Sequence, residues 1–250
     1  MLQRNVGHHY AESLMRSFSL YVLVFVAFCM FPASALSRVT VDDTVVVKGQ
    51  QVMLRAETKG KFFRKGGELV EFFVGGTSLG RTLSGGDGVA FKPFVPVEAG
   101  PYQIQVNSGG DEDTGILLSL REGSSIVFVD VESSLLEGRL SRKPKPGSQK
   151  AIKEINQRFP VVFLQTGFVG VKAVKTWLRE NEFLESPVVP WNQGGIFDEI
   201  THKGLKVKAV IASPDVIESA REHRSVSFSF QQLDNAEWVK DWEEISKKLK

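Results

Sequence analysis

Ser125-Ile126-Val127-Phe128-Val129-Asp130-Val131-Glu132-Ser133-Ser134 is the stretch on which the fold turns. Four consecutive β-formers, Ile126 to Val129, predict a strand buried on both faces, as in a parallel sheet. The run ends on Asp130, so a carboxylate stands at the carboxyl end of that strand, with Glu132 two residues on and two hydroxyls behind it. Ligands of open α/β sheets bind outside the carboxyl ends of the strands. Two acids separated by one residue can converge there on a phosphate or a Mg²⁺ ion.

Downstream of this strand, apolar runs alternate with helical patterns, which predicts a mainly parallel sheet with helical crossovers over residues 124–250. A helix is expected from about Ser148 to Arg158 and a second buried strand over Pro160–Thr166, followed by Gly167. A helix over about 169–181 carries Val171, Val174, Trp177 and Leu178 at helical spacing, and Val188-Val189-Pro190 forms a short third strand. A helix near 196–203, a fourth strand over Val207–Ser213 and a helix opened by Pro214-Asp215 come next; proline then aspartate suits a helix N-terminus. Ser225–Phe230 is the fifth strand. Trp238, Trp242 and Ile245 are expected to line a last amphipathic helix as core anchors.

Upstream, residues 38–121 read differently. Short apolar runs at 39–41, 45–47, 51–56, 69–74, 89–93, 102–106 and 116–120 are divided by glycine-rich turns with no helical pattern between them. That predicts an all-β antiparallel sandwich. Asp111-Glu112-Asp113 is expected at a water-facing hairpin tip in preference to a calcium loop. Before this module, the apolar run Phe18–Phe31 follows Arg16 and precedes Pro32-Ala33-Ser34-Ala35. The run is shorter than the roughly 20 residues that span a bilayer, so 1–35 reads as a secretory signal peptide, with Met15 a candidate start beside Met1. The alternative is an uncleaved N-terminal anchor. A periplasmic or secreted location follows from either.

Composition narrows the chemistry. The only cysteine is Cys29, and after residue 30 only His202 and His223 remain, so neither a Cys/His metal site nor a cysteine nucleophile can be built in the mature chain. A net charge of +2 supplies no concentrated basic face for nucleic acid. The densest basic run before the C-terminus, Arg142-Lys143-Pro144-Lys145-Pro146, reads as a solvated loop.

Two family resemblances attach to these residues. Val70–Val74, Leu79-Gly80, Gly88-Val89-Ala90 and Ala99–Ile104 resemble bacterial immunoglobulin-like domains, in which Tyr102 would pack near a strand corner. Ile126–Ser134, Val162–Gly167 and the spacing from Leu178 to Pro190 resemble the haloacid dehalogenase (HAD) superfamily, particularly its capless lipin-like phosphatase domains. The two together imply an immunoglobulin-like sandwich followed by an α/β three-layer HAD-like (Rossmannoid) domain. By resemblance, Asp130 is the nucleophile that forms an aspartyl-phosphate, Glu132 the acid/base, and Thr166 a phosphoryl ligand. Mg²⁺ would be held by Asp130, Glu132, Asp215 and Glu218.

The sequence departs from the family pattern in three places: Glu132 replaces the second Asp, Asn192–Gly195 stands where a lysine should open a helix, and Ser213 replaces the Asp after the fourth strand. Lys203, Lys206 and Lys208 lie nearby. The resemblance implies a divergent Mg²⁺-dependent phosphohydrolase acting on a small-molecule or lipid phosphoester. The alternative is a catalytically inactive domain that binds a ligand, a lipid or a protein. In either case a membrane is met only through the leader or a lipid ligand, and the sandwich's protein partner is not specified by any residue.

Overall fold

The computed structural model describes residues 39–60, 63–138, 141–167 and 169–250. The leader-like segment 1–35 lies outside them. The described strands are β1 (Val39–Val41), β2 (Thr44–Val47), β3 (Val52–Thr58), β4 (Leu69–Val74), β5 (Thr77–Leu83), β6 (Val89–Phe94), β7 (Gly100–Ser108) and β8 (Asp111–Leu120), then β9 (Ser125–Asp130), β10 (Val161–Gln165), β11 (Val188–Pro190), β12 (Lys206–Ile211), β13 (Val226–Ser229) and β14 (Glu237–Trp238). The α-helices are α1 (Ser148–Asn156), α2 (Val171–Glu180), α3 (Gly195–His202), α4 (Pro214–Ser219) and α5 (Trp242–Lys248).

Three sheets form. β1-β3-β6 and β2-β8-β7-β4-β5 face each other as a sandwich, and β11-β10-β9-β12-β13-β14 is parallel throughout. The sandwich core is drawn from alternate residues of its strands, among them Val46, Leu54, Phe72, Ile104, Val106 and Leu117, as the two-residue strand period requires. At the sandwich corner the Tyr102 hydroxyl accepts from Glu98 N at 2.9 Å and donates to Glu98 O at 3.2 Å.

β9 runs down the middle of the parallel sheet, and both its faces are buried. Val127 and Val129 point to a layer built from α1, α2 and α5, through residues such as Ile152, Leu178 and Trp242. Ile126 and Phe128 point the other way, onto Ile196, Phe197 and Ile200 of α3 and Val216 and Ile217 of α4. Phe128 meets Phe197 edge to face, with centroids 5.2 Å apart, a geometry worth about 0.5–1.5 kcal/mol beyond the area buried.

That second face corrects the expected architecture. Val45 and Val47 of β2 and Leu118 and Leu120 of β8 belong to the same core as Phe128 and Phe197, while Val46 and Leu117 beside them belong to the sandwich core. β2 and β8 are thus buried on both faces, one in each core. Residues Ser37–Lys250 form one compact unit, and among the described residues strand outweighs helix, 41% against 25%. Two independent domains, a sandwich followed by a HAD-like α/β domain, are replaced by one mostly β unit.

Local corrections have equally local causes. Thr77–Leu83 is an edge strand (β5) that the apolar pattern does not mark, because its residues are half-exposed or exposed. Trp238 lies in β14 at 52% exposure and not in the last helix, whereas Trp242 is a core anchor at 1%. α5 starts only after Asp241, whose side chain caps it by accepting from Glu244 N at 2.9 Å. The tip of the β7–β8 hairpin is Gly109-Gly110, and Asp113 turns inward to accept from Val41 N at 2.9 Å.

Candidate functional site

The carboxyl end of β9 is a dense polar knot. Asp130 is completely buried. Its Oδ1 accepts from Thr166 Oγ1 at 2.7 Å, Glu132 N at 3.1 Å and Ser133 N at 3.4 Å. Its Oδ2 accepts from Ser133 Oγ at 2.6 Å and Ser213 N at 3.3 Å. Asp130 therefore caps the one-turn helix Val131–Leu135 and ties the ends of β9, β10 and β12 together. A carboxylate offers about four lone-pair sites, and these donors use them up. Both oxygens of Asp130 are thus engaged by the protein's own donors.

Glu132 is turned aside as well. Its carboxylate lies against the backbone after β10, so close that a Cβ on Gly167 would stand 1.6 Å from Oε2; only glycine fits there. Burial pushes the Glu132 carboxyl above its ordinary range, the Gly167 amide pulls it back, Asp130 adds to the rise, and the Val169 amide opposes it. Among the described residues Oε1 has no hydrogen-bond partner. The Gly167 and Val169 amides hold the chain's own carboxylate.

Asp215 and Glu218 do not join this pair. Asp215 is exposed on the first turn of α4, and Glu218 is held by Asn235 Nδ2 at 2.6 Å and Arg221 at 3.4 Å. No group of three or more His, Cys, Asp or Glu residues among the described ones is placed to hold a metal ion. Asp130, Glu132, Asp215 and Glu218, the four acids expected on Mg²⁺, form no such group.

One residue enters the knot without being marked by sequence. Lys145, read as part of a solvated loop, is half-buried. Its Nζ donates to Ser133 O at 3.0 Å and lies 3.9 Å from the centre of the Phe230 ring. Burial lowers its pKa, and the Asp130 charge opposes that drop. Lys203 is occupied elsewhere, on Val45 O at 2.7 Å and Glu199. Lys208 lies over the Phe159 ring. Proline and glycine around Lys145 describe its backbone correctly and conceal where its side chain goes.

A second locus lies where the sandwich meets the parallel sheet. Asp43, in the β1–β2 connection, accepts from Ile116 N of β8 at 2.8 Å, Val188 N of β11 at 2.7 Å and Lys175 Nζ of α2 at 2.6 Å. One carboxylate bridges two sheets. Gly115 permits this, since its Cβ would stand 2.9 Å from Asp43 Oδ1. Burial raises the Asp43 pKa, and Lys175 and the two amides work against that rise. Beside the pair opens a cleft of about 700 Å³, lined by strand residues such as Gln103 and Thr114 and by α2 and the segment after it. Nothing in the sequence around Asp42-Asp43 signals this role, because its partners lie 73, 132 and 145 residues away.

No protein-family model and no curated relative matches the sequence. Solved structures match about a third of it. The CARDB domain of a Pyrococcus furiosus protein is 18% identical over 34% of this chain and 94% of that one, with a TM-score of 0.26. Fibronectin(III)-like modules of Clostridium thermocellum CbhA are 16% identical over 33% and 97%, with a TM-score of 0.25. The D00-D0 domain of intimin is 13% identical over 33% and 45%, with a TM-score of 0.29. Likenesses of this size carry no argument about activity. These neighbours are β-sandwich modules and not phosphohydrolases. No comparison supports the HAD resemblance, and the hydrolase and phosphatase expectation is corrected with it. The geometry supplies the physical reason, in an Asp130 whose lone pairs are spent inside the protein and a Glu132 that fills the neighbouring amides.

Proposed function

We propose that this protein is a non-catalytic binding module that works outside the cytoplasm and holds a small-molecule ligand in the cleft beside Asp43 and Lys175. One contrast carries the reading: the Asp130 carboxylate at the β9 end is satisfied within the protein, whereas the cleft presents Lys175 and Arg179 with donors to spare. Its volume falls within the roughly 300–1,000 Å³ of ordinary ligand pockets. Location at a junction between structural layers is also typical of such sites.

An extracytoplasmic setting is supported by the Phe18–Ala35 leader pattern. Periplasmic and secreted placement both fit it. No described helix is long and apolar enough to cross a membrane. Net charge of +2 favours no nucleic-acid partner.

A thermal-shift screen of the full chain against charged and neutral small molecules tests the reading. A ligand at 100 times its Kd adds about 2.7 kcal/mol, which for a chain of this size raises Tm by about 5–11 °C. Thr114→Trp, at an exposed cleft-lining position, should abolish that shift. Hits that survive Thr114→Trp, or release of phosphate from a small ester that is lost in Asp130→Asn, would sink the proposal.

A further inference from the structure

We infer that the cleft selects an amphipathic monoanion, with its acidic head on Lys175 and Arg179 and its apolar body along Ile116, Leu184 and the Tyr102 ring. The inference rests on the cleft being a binding site and adds the chemistry of its ligand. Lys175 and Arg179 both line the cleft and stand four residues apart on α2, one turn above the other on the same face. Lys175 carries three ammonium protons, and one of them goes to Asp43.

Asp43 is shielded, its side chain 1% exposed against 18% for Lys175. A molecule entering the cleft therefore meets the ammonium and not the carboxylate that balances it. The Arg179 guanidinium has no ion pair or hydrogen bond among the described residues, and its planar fork suits a carboxylate held through two bonds. Glu185 at the rim, together with the Asp43 charge behind Lys175, disfavours a second negative charge on the ligand.

Apolar side chains line the cleft as well. Ile116 and Leu184 are half-buried there, and Tyr102 offers only its ring because its hydroxyl is spent on Glu98. A small polar anion would leave that apolar surface against water. A neutral amphiphile would leave the two cationic donors unanswered. Each buried methylene raises affinity about fourfold, so head and body are both needed for tight binding.

Isothermal titration of the full chain with monomeric dodecanoate, methyl dodecanoate, dodecylamine and acetate decides the matter. Dodecanoate is expected to bind, with its methyl ester and the amine at least tenfold weaker and acetate giving no heat. Arg179→Gln, on an exposed helix position, should weaken dodecanoate at least tenfold, and Arg179→Lys should restore part of the loss. Ester or amine binding as tight as dodecanoate, or indifference to Arg179→Gln, overturns the charge selection while leaving a binding cleft in place. No heat from any of the four also overturns it. The wider ligand screen then tells separately whether the cleft binds something else.

Discussion

Replacing Asp130 separates an architectural carboxylate from a catalytic one. In Asp130→Ala the donors on Glu132 N, Ser133 N and Ser213 N lose their acceptor in a fully buried place. The Thr166 and Ser133 hydroxyls can turn elsewhere. A buried donor left unpaired costs about 1–3 kcal/mol; two of the three amide contacts are long, at 3.3–3.4 Å, so a total of about 3–5 kcal/mol is expected. Asp130→Asn keeps the Oδ1 side with Thr166 Oγ1, Glu132 N and Ser133 N. It sets its amide nitrogen against Ser213 N, a donor facing a donor, while Ser133 Oγ can rotate to accept. That variant should lose only about 1–2 kcal/mol. At roughly 2–4 °C per kcal/mol for a chain of this length, the Tm falls by about 6–20 °C for alanine and about 2–8 °C for asparagine. Urea unfolding followed by tryptophan fluorescence reads both, and unchanged m-values show that the same unit is unfolding. Active-site acids commonly sit at a cost to stability, so their removal leaves the fold as stable or more so. An Asp130→Ala protein as stable as the parent would therefore refute the structural assignment.

Three further outcomes follow from the geometry. Gly167→Ala forces the Glu132 carboxylate off the Gly167 and Val169 amides and should cost about 1–2 kcal/mol. In a Glu132→Ala background the same change should be neutral or stabilise by about 0.4–1 kcal/mol, and additive effects in that double-mutant cycle would count against the contact. Glu132 and Asp43 have folded pKa values raised by burial, while unfolded carboxyls titrate near about 4. The folded chain binds more protons above that value, so stability falls as pH rises through the raised values and levels off beyond them. Glu132→Gln should accordingly gain on the parent between about pH 4 and pH 7; urea midpoints that move in parallel across that range contradict it. Tyr102→Phe removes two bonds to the Glu98 backbone and should cost about 0.5–1.5 kcal/mol in the same assay.

What can be read from sequence here is what the local pattern determines. Ile126–Val129 predicts a strand buried on both faces, and all four residues are fully buried, because four β-formers in a row leave no polar face. β5 escapes such reading, since an edge strand of Thr, Ser, Gly and Arg needs no apolar alternation. Trp238 and Trp242 look alike at helical spacing, and only the Asp241 cap between them and the helix start separates their fates. The Asp130 knot draws Thr166 and Ser213 from 36 and 83 residues away. Motif spacing put these residues near one another and left open whether the carboxylate faces outward to a substrate or inward to the fold. Lys145 and Asp43 lay beyond that reading altogether, because their significance comes from partners that the tertiary structure alone supplies.

β2 and β8 carry one further consequence, for synthesis on the ribosome. Their residues Val46 and Leu117 find partners within the sandwich, but Val45, Val47, Leu118 and Leu120 have theirs only in residues 126–236. A nascent chain that has emerged only as far as β8 thus carries four aliphatic side chains with nothing to cover them, and at about 5–20 residues per second the stretch from there to Ala236 takes about 6–23 s to appear. During that interval the sandwich offers a sticky surface to chaperones or to a neighbouring nascent chain. Truncation after Leu120 would make that interval permanent.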